Sequence, residues 1–207
     1  MVHWKDVTET EMLPAGLAKK KEIQFTPLEL AVLEGSLETV KLLVQNGAGL
    51  DGNARDTEDK TPLFYAVVGG RSKCCCALLR DEKLDARIMK ERFEVKYPPL
   101  VPETRDPLTL LELAVRTCSV DTVKLLVEKG SGADMNARDK DKKTPLCWAV
   151  LEGKDKYAQT LLRHDGLDKK VFKERYRHTY GKPMTLLEHA ISKCTFDTVK
   201  MLVDKGA

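Results

Sequence analysis

The chain has 207 residues, 42% of them hydrophobic and 32% charged, which is enough apolar content for a continuous core and argues against widespread disorder. Its 35 basic and 32 acidic residues leave a net charge of only +3, so no overall field draws it to nucleic acid. No window approaches the ~18 consecutive apolar residues of a spanning helix, and residues 1–20 lack the basic start, apolar core and cleavage pattern of a secretion signal, so the expectation is a cytoplasmic or otherwise intracellular protein without a membrane span.

Residues 1–20 match no other part of the chain. Thr8-Glu9-Thr10-Glu11 before Met12 is placed to cap a short helix, and Trp4 to cover one end of the fold. Beyond residue 20 the chain repeats itself. Thr26-Pro27-Leu28-Glu29-Leu30-Ala31-Val32 returns as Thr61-Pro62-Leu63-Phe64-Tyr65-Ala66-Val67 and as Thr109-Leu110-Leu111-Glu112-Leu113-Ala114-Val115. It returns again as Thr144-Pro145-Leu146-Cys147-Trp148-Ala149-Val150 and as Thr185-Leu186-Leu187-Glu188-His189-Ala190-Ile191. Units of this size hold a helix pair but cannot bury a core alone, so they must stack.

Each run reads as the start of a first helix, because threonine can accept from the free amides of the first turn and proline there loses no hydrogen bond. Second helices are expected where Ser36, Ser119 and Thr195 precede Leu37-Glu38-Thr39-Val40-Lys41-Leu42-Leu43-Val44 and its two counterparts. Glu38, Asp121 and Asp197 then sit in the first turn, where the helix dipole favours carboxylates. Leu37, Val40, Leu43 and Val44 recur at helical spacing, while Lys41, Lys124 and Lys200 point to water.

A longer period lies over the first. Thr26 to Thr109 and Thr61 to Thr144 are both 83 residues apart, and residues 84–93 correspond to residues 167–176 at the same offset. Units two and four carry insertions that begin with an apolar-apolar-Lys-Glu-Arg-aromatic string, residues 88–93 and 171–176. These strings are expected to make about one and a half helical turns. On such a helix Ile88, Met89 and Phe93, like Val171, Phe172 and Tyr176, would share one face and pack as a satellite core.

The repeated runs, with Asn53-Ala54-Arg55-Asp56 and Asn136-Ala137-Arg138-Asp139 between them, resemble the ankyrin repeat family and its Thr-Pro-Leu-His-x-Ala signature. The resemblance implies an all-α solenoid of stacked helix-turn-helix units with short beta-turn fingers, here with two longer inserted loops. The units run about 21–55, 56–103, 104–138, 139–179 and 180–207, forming one elongated, monomeric domain. Measured against the family's period, the insertions add about 15 and 8 residues and should emerge on one side. Two departures stand out. The signature histidine is replaced by Glu29, Phe64, Glu112, Cys147 and Glu188, and Cys118 and Cys194 occupy the turn position held elsewhere by Gly35, Gly70 and Gly153. Cysteine does not favour a left-handed backbone, so those turns should take another conformation.

For function, the resemblance implies a protein-interaction module or scaffold, with a protein partner held on the concave surface of fingers and first helices. The matching positions are Glu58, Lys60, Phe64 and Val68 in unit two, and Arg105, Leu108, Glu112 and Arg116 in unit three. Unit four contributes Lys140, Lys143, Cys147 and Leu151, and unit five Met184 and Glu188. Such a mix suits a partner with an apolar anchor and a charged rim.

The alternative is a basic-aromatic insert surface for nucleic acid or anionic lipid, built from Arg87, Lys90, Arg92, Lys170, Lys173, Arg175 and Arg177 with Phe93 and Tyr176. The near-neutral composition makes this the less favoured partner class. His3, His164, His178 and His189 are scattered, no Gly-rich phosphate loop is present, and no cysteine spacing builds a zinc ligand set. Neither an enzyme nor a cofactor is expected, and the six cysteines are expected as free thiols.

Overall fold

The computed structural model describes residues 9–10, 20–21, 25–46, 52–95, 107–129, 133–177 and 182–207. Near the start, β1 (Glu9–Thr10) pairs antiparallel with β2 (Lys20–Lys21). Glu9 and Thr10 are thus strand rather than helix cap, and the expected helix after Met12 and the cover by Trp4 lie outside the described residues.

Five helix pairs come next: α1 (Pro27–Glu34) with α2 (Leu37–Asn46), α3 (Pro62–Val68) with α4 (Ser72–Leu79), and α5 (Leu110–Thr117) with α6 (Val120–Glu128). The row continues with α7 (Pro145–Leu151) and α8 (Asp155–Leu162), then, after the short α9 (Lys170–Lys173), with α10 (Leu186–Lys193) and α11 (Phe196–Asp204). First helices α1, α3, α5, α7 and α10 pack in sequence to form one layer, and α2, α4, α6, α8 and α11 form the other. One continuous hydrophobic core runs between the layers, from Leu28 to Leu202. The architecture is the all-α solenoid expected, with two-residue strands as its sole sheet structure among the described residues.

The threonines act as read. Thr26, Thr61, Thr109, Thr144 and Thr185 each accept a hydrogen bond from the amide three residues on. In α1, α5 and α10 the glutamate at that third position returns the bond, its carboxylate accepting from the threonine amide at 2.6–2.7 Å. Phe64 and Cys147 hold that position in α3 and α7, which start instead on Pro62 and Pro145.

Second helices are capped differently from the expectation. Ser119 and Thr195 stand at the N-cap position but their hydroxyls do not bond the first-turn amides. Their own amides donate to the preceding unit instead, Ser119 to Ser72 Oγ at 2.8 Å and Thr195 to Asp155 Oδ1 at 2.7 Å. The start of one second helix is thereby tied to the start of the last, 83 residues separating Ser72 from Asp155. Cys118 and Cys194 are extended at φ −101° and −110°, whereas Gly70 at the equivalent turn has φ +62°. A Cβ on Gly70 would also meet Thr117 O at 2.9 Å, so that turn needs glycine on both counts.

The insertions depart most from the sequence expectation. The first makes a short 3-10 helix (Ala86–Met89), and then β3 (Arg92–Phe93) pairs with β4 (Leu108–Thr109). The second makes α9, and then β5 (Arg175–Tyr176) pairs with β6 (Met184–Thr185). Helix therefore stops before each aromatic. Ile88, Met89 and Phe93, and Val171, Phe172 and Tyr176, are buried as expected, but strand pairing rather than a shared helical face brings the aromatics in. Because β4 and β6 lead directly into α5 and α10, both insertions lie at the same end of the first-helix layer.

Candidate functional site

The fingers are built by the Asn-Ala-Arg-Asp motif. Asp56 accepts from the Glu58 and Lys60 amides at 2.8 Å, and Asp139 from the Asp141 and Lys143 amides at 2.9 Å. The same carboxylates reach the first helix: Tyr65 donates its hydroxyl to Asp56, and Trp148 donates Nε1 to Asp139 Oδ2 at 2.7 Å. Burial, together with Asp56, pushes the Tyr65 hydroxyl well above its ordinary range. Asn53 and Asn136 bracket the insertions, accepting from the Asp85 and Asp168 amides at 2.7 Å. Arg55 and Arg138 pair with Glu91 and Glu174 of the insertions, and this bond holds the Glu174 carboxyl below its ordinary value. Finger and insertion are thus one clamped unit, twice over.

The clamp alters the surface expected from the sequence. Phe93 folds onto Phe64 with ring centroids 5.0 Å apart, and Lys60 lies over both rings at 5.1 and 5.8 Å. Phe64, Val68, Leu108, Glu112, Cys147 and Leu151 are consequently buried, and Lys143 nearly so. The first six cannot form an exposed contact face, because the inserted strands and neighbouring helices cover them, while Lys143 keeps 9% exposure. The alternative surface loses the two rings named for it: Phe93 and Tyr176 are each 3% exposed, out of reach of a stacking base. Arg105 lies outside the described residues. Glu58, Lys60, Arg116, Lys140, Met184 and Glu188 keep some or full exposure.

At the centre is a group that sequence reasoning names only in part. The Arg116 guanidinium lies over the Trp148 ring at 4.1 Å, while Lys143 Nζ approaches the same ring at 4.6 Å. Arg116 also bonds Asp139 at 3.3 Å, so one carboxylate holds both the ring and the cation. Burial lowers the Arg116 pKa from its ordinary value, against the pull of Asp139 and Glu112. Glu112, one turn earlier, is fully buried; its Oε2 takes the Thr109 amide at 2.7 Å while Oε1 has no hydrogen-bond partner. Burial raises the Glu112 pKa despite the Thr109 bonds. Arg92 reaches in from the insertion, donating to Arg138 O at 3.0 Å with Glu112 at 3.7 Å.

Trp148, Tyr65 and Phe25 remain part-exposed beside this group, Phe25 and Tyr65 in edge contact at 5.5 Å. Sequence reasoning misses Trp148 and Tyr65 as site residues; the available signal is their position immediately after Cys147 and Phe64, one step round the helix towards the finger. The result is a partly apolar floor with cationic edges, able to take an aromatic or aliphatic anchor and a polar rim. A groove of about 550 Å³ opens on the opposite layer, among Leu37, Val44, Ser72, Ala77 and Arg80. Among the described residues no group of three His, Cys, Asp or Glu side chains is placed to hold a metal, and no helix is long and apolar enough to cross a membrane.

Comparison with known proteins agrees with this architecture. The family description "Ankyrin repeats (3 copies)" matches residues 10–91 and 111–207. A Caenorhabditis elegans homolog of transient receptor potential cation channel subfamily A member 1 is 31% identical over 139 residues, 67% of this chain and 10% of that protein. Mouse inversin is 26% identical over 153 residues, 64% of this chain and 14% of inversin. A rat Arf-GAP with coiled-coil, ANK repeat and PH domains is 46% identical over 59 residues, 28% of this chain and 7% of that protein. The chain thus matches only a small part of each of these relatives.

Proposed function

Because the chain belongs to the ankyrin repeat family, we propose that it is a protein-interaction module that holds a partner on its two fingers and the first-helix floor between them. The observation that carries this reading is the half-buried Trp148, held by Asp139 and flanked by Arg116 and Lys143. Tryptophan and arginine fixed in one place lose little entropy on binding, which is why such pairs dominate interface energies. Similar repeats occur in relatives whose names mark a channel subunit and an Arf-GAP, in keeping with a part that binds rather than catalyses.

The test is quantitative capture of proteins from cell extract on immobilised wild type, on a finger variant carrying Lys60→Glu and Lys140→Glu, and on a second-helix control, Lys124→Glu. Partners should be retained by wild type and the control and depleted on the finger variant. Equal retention on all three, or no specific retention, would overturn the reading.

A further inference from the structure

The two insertions share a topology but not a charge. Asp85, Ala86, Arg87, Lys90 and Glu94 of the first correspond to Asp168, Lys169, Lys170, Lys173 and Arg177 of the second. The first set is balanced; on the second, alanine has become lysine and glutamate has become arginine, a swing of three positive charges. Lys169, Lys170, Lys173 and Arg177 are all exposed, and none forms an ion pair among the described residues.

Three of the acids nearby are already engaged, and a fourth, exposed Asp204, lines the same cleft as Lys169. Glu174 is bonded by Arg138, with Asp168 3.9 Å from the same guanidinium, and Asp165 is bonded by Lys205 at 2.8 Å. The β5–β6 pairing, with Tyr176 opposite Met184, brings exposed Lys182 back beside Arg177. Lys169, Lys170 and Lys173 thus stand exposed on and just before the one-turn α9, and Arg177 and Lys182 stand exposed beside the strand pair that follows it.

We propose that this face of the second insertion docks an acidic, Asp- and Glu-rich segment of a protein partner, a proposal that rests on the chain being a protein-interaction module. Among the described residues of this face the aromatic side chains Tyr176 and Phe172 are buried, so neither offers a ring to a base, and Val171 is buried as well, so it offers nothing to a bilayer. A flexible acidic segment needs neither. It gains by pairing its carboxylates with these exposed cations, and its binding must weaken as salt screens them.

The test uses the whole chain and fluorescence anisotropy of a labelled peptide of alternating Glu and Ser, beside a labelled single-stranded oligonucleotide and phosphatidylserine vesicles. Lys169→Glu with Lys170→Glu and Lys173→Glu should weaken peptide binding by about tenfold or more, whereas Arg87→Glu with Lys90→Glu on the first insertion should change it by less than about twofold. All substituted positions are exposed, and a circular-dichroism melt checks that each variant folds. Equal loss in both variants, or tighter binding of the oligonucleotide or vesicles than of the peptide, would overturn the proposal. Proteins captured from extract with no peptide binding would sink this proposal and leave the module reading intact; no captured protein at all would sink both.

Discussion

Phe93 lies against Phe64 with its ring tilted 33° to the other, joining a residue 29 positions away to the first helix of its own unit. Each ring is nearly excluded from water. The contact converts what would be an open face of α3 into core.

Truncating Phe93 to alanine should therefore cost about 3–5 kcal/mol, as for other buried aromatics. Urea denaturation measures it, and a loss under about 1 kcal/mol would mean that the insertion contributes little to the fold. Tyr176→Phe is the milder probe on the second insertion. It keeps the ring and removes the hydroxyl that donates at 3.0 Å to Glu174 or at 3.3 Å to Val171 O, for an expected loss of about 1 kcal/mol.

These insertions mark where the sequence stops being legible. The recurring threonines, prolines and apolar spacing act locally, within a turn or a helix face, so the helix starts at Pro27, Pro62 and Pro145 can be read directly. The pairing of β3 with β4 joins Phe93 to Leu108 across 14 intervening residues, and no local propensity encodes which strand a two-residue segment will meet. Without that pairing, position in the repeat puts Phe64, Leu108 and Cys147 on an exposed face. The site is legible in part for the same reason: Arg116 and the finger lysines follow from position in the unit, but the Trp148 bond to Asp139 depends on a turn whose closure is set by backbone amides.

Asp155 offers a third prediction. Its Oδ1 accepts from the Thr195 amide, the Thr195 hydroxyl and the Thr198 hydroxyl at 2.6–2.7 Å, linking α8 to the start of α11. Asp155→Ala should cost about 1–2 kcal/mol, and Asp155→Ser should recover part of it, because Ser72 performs the equivalent task one double unit earlier. Burial opposes ionisation of Asp155, yet the threonine bonds together hold its carboxyl below the ordinary value. The stabilisation is therefore present above the unfolded-state pKa and disappears as pH falls through the folded one. A wild-type advantage over Asp155→Ser that persists unchanged into strong acid would contradict the assignment.

Glu112 should behave in the opposite sense. Burial raises its pKa above the ordinary 4.5, so its contribution to stability is greatest below the unfolded-state value and is lost as pH rises through the folded one. Glu112→Gln retains a carbonyl oxygen for the Thr109 amide and does not ionise. Relative to wild type, the glutamine variant should gain stability as pH rises from 4.5, levelling off once the buried carboxyl has ionised. Chemical denaturation at a series of pH values reads the difference directly, and a pH-independent difference would place the ionised carboxylate in a site that already compensates it.

The last prediction concerns the centre of the proposed interface. Arg116 and Trp148 come from different units, α5 and α7, and are held in register by a carboxylate from the finger between them. A planar guanidinium can stack on the indole while donating to Asp139; a lysine ammonium at the same place can do only one of these well. Arg116→Lys and Trp148→Phe should therefore be coupled, with an interaction energy of about 0.5–2 kcal/mol in a double-mutant cycle. Trp148→Phe alone removes one donor from a buried Asp139 and should cost about 1–2 kcal/mol. Additive losses would mean that Asp139 organises each residue separately and that the stack is a consequence of its position, not a source of rigidity for a partner to use.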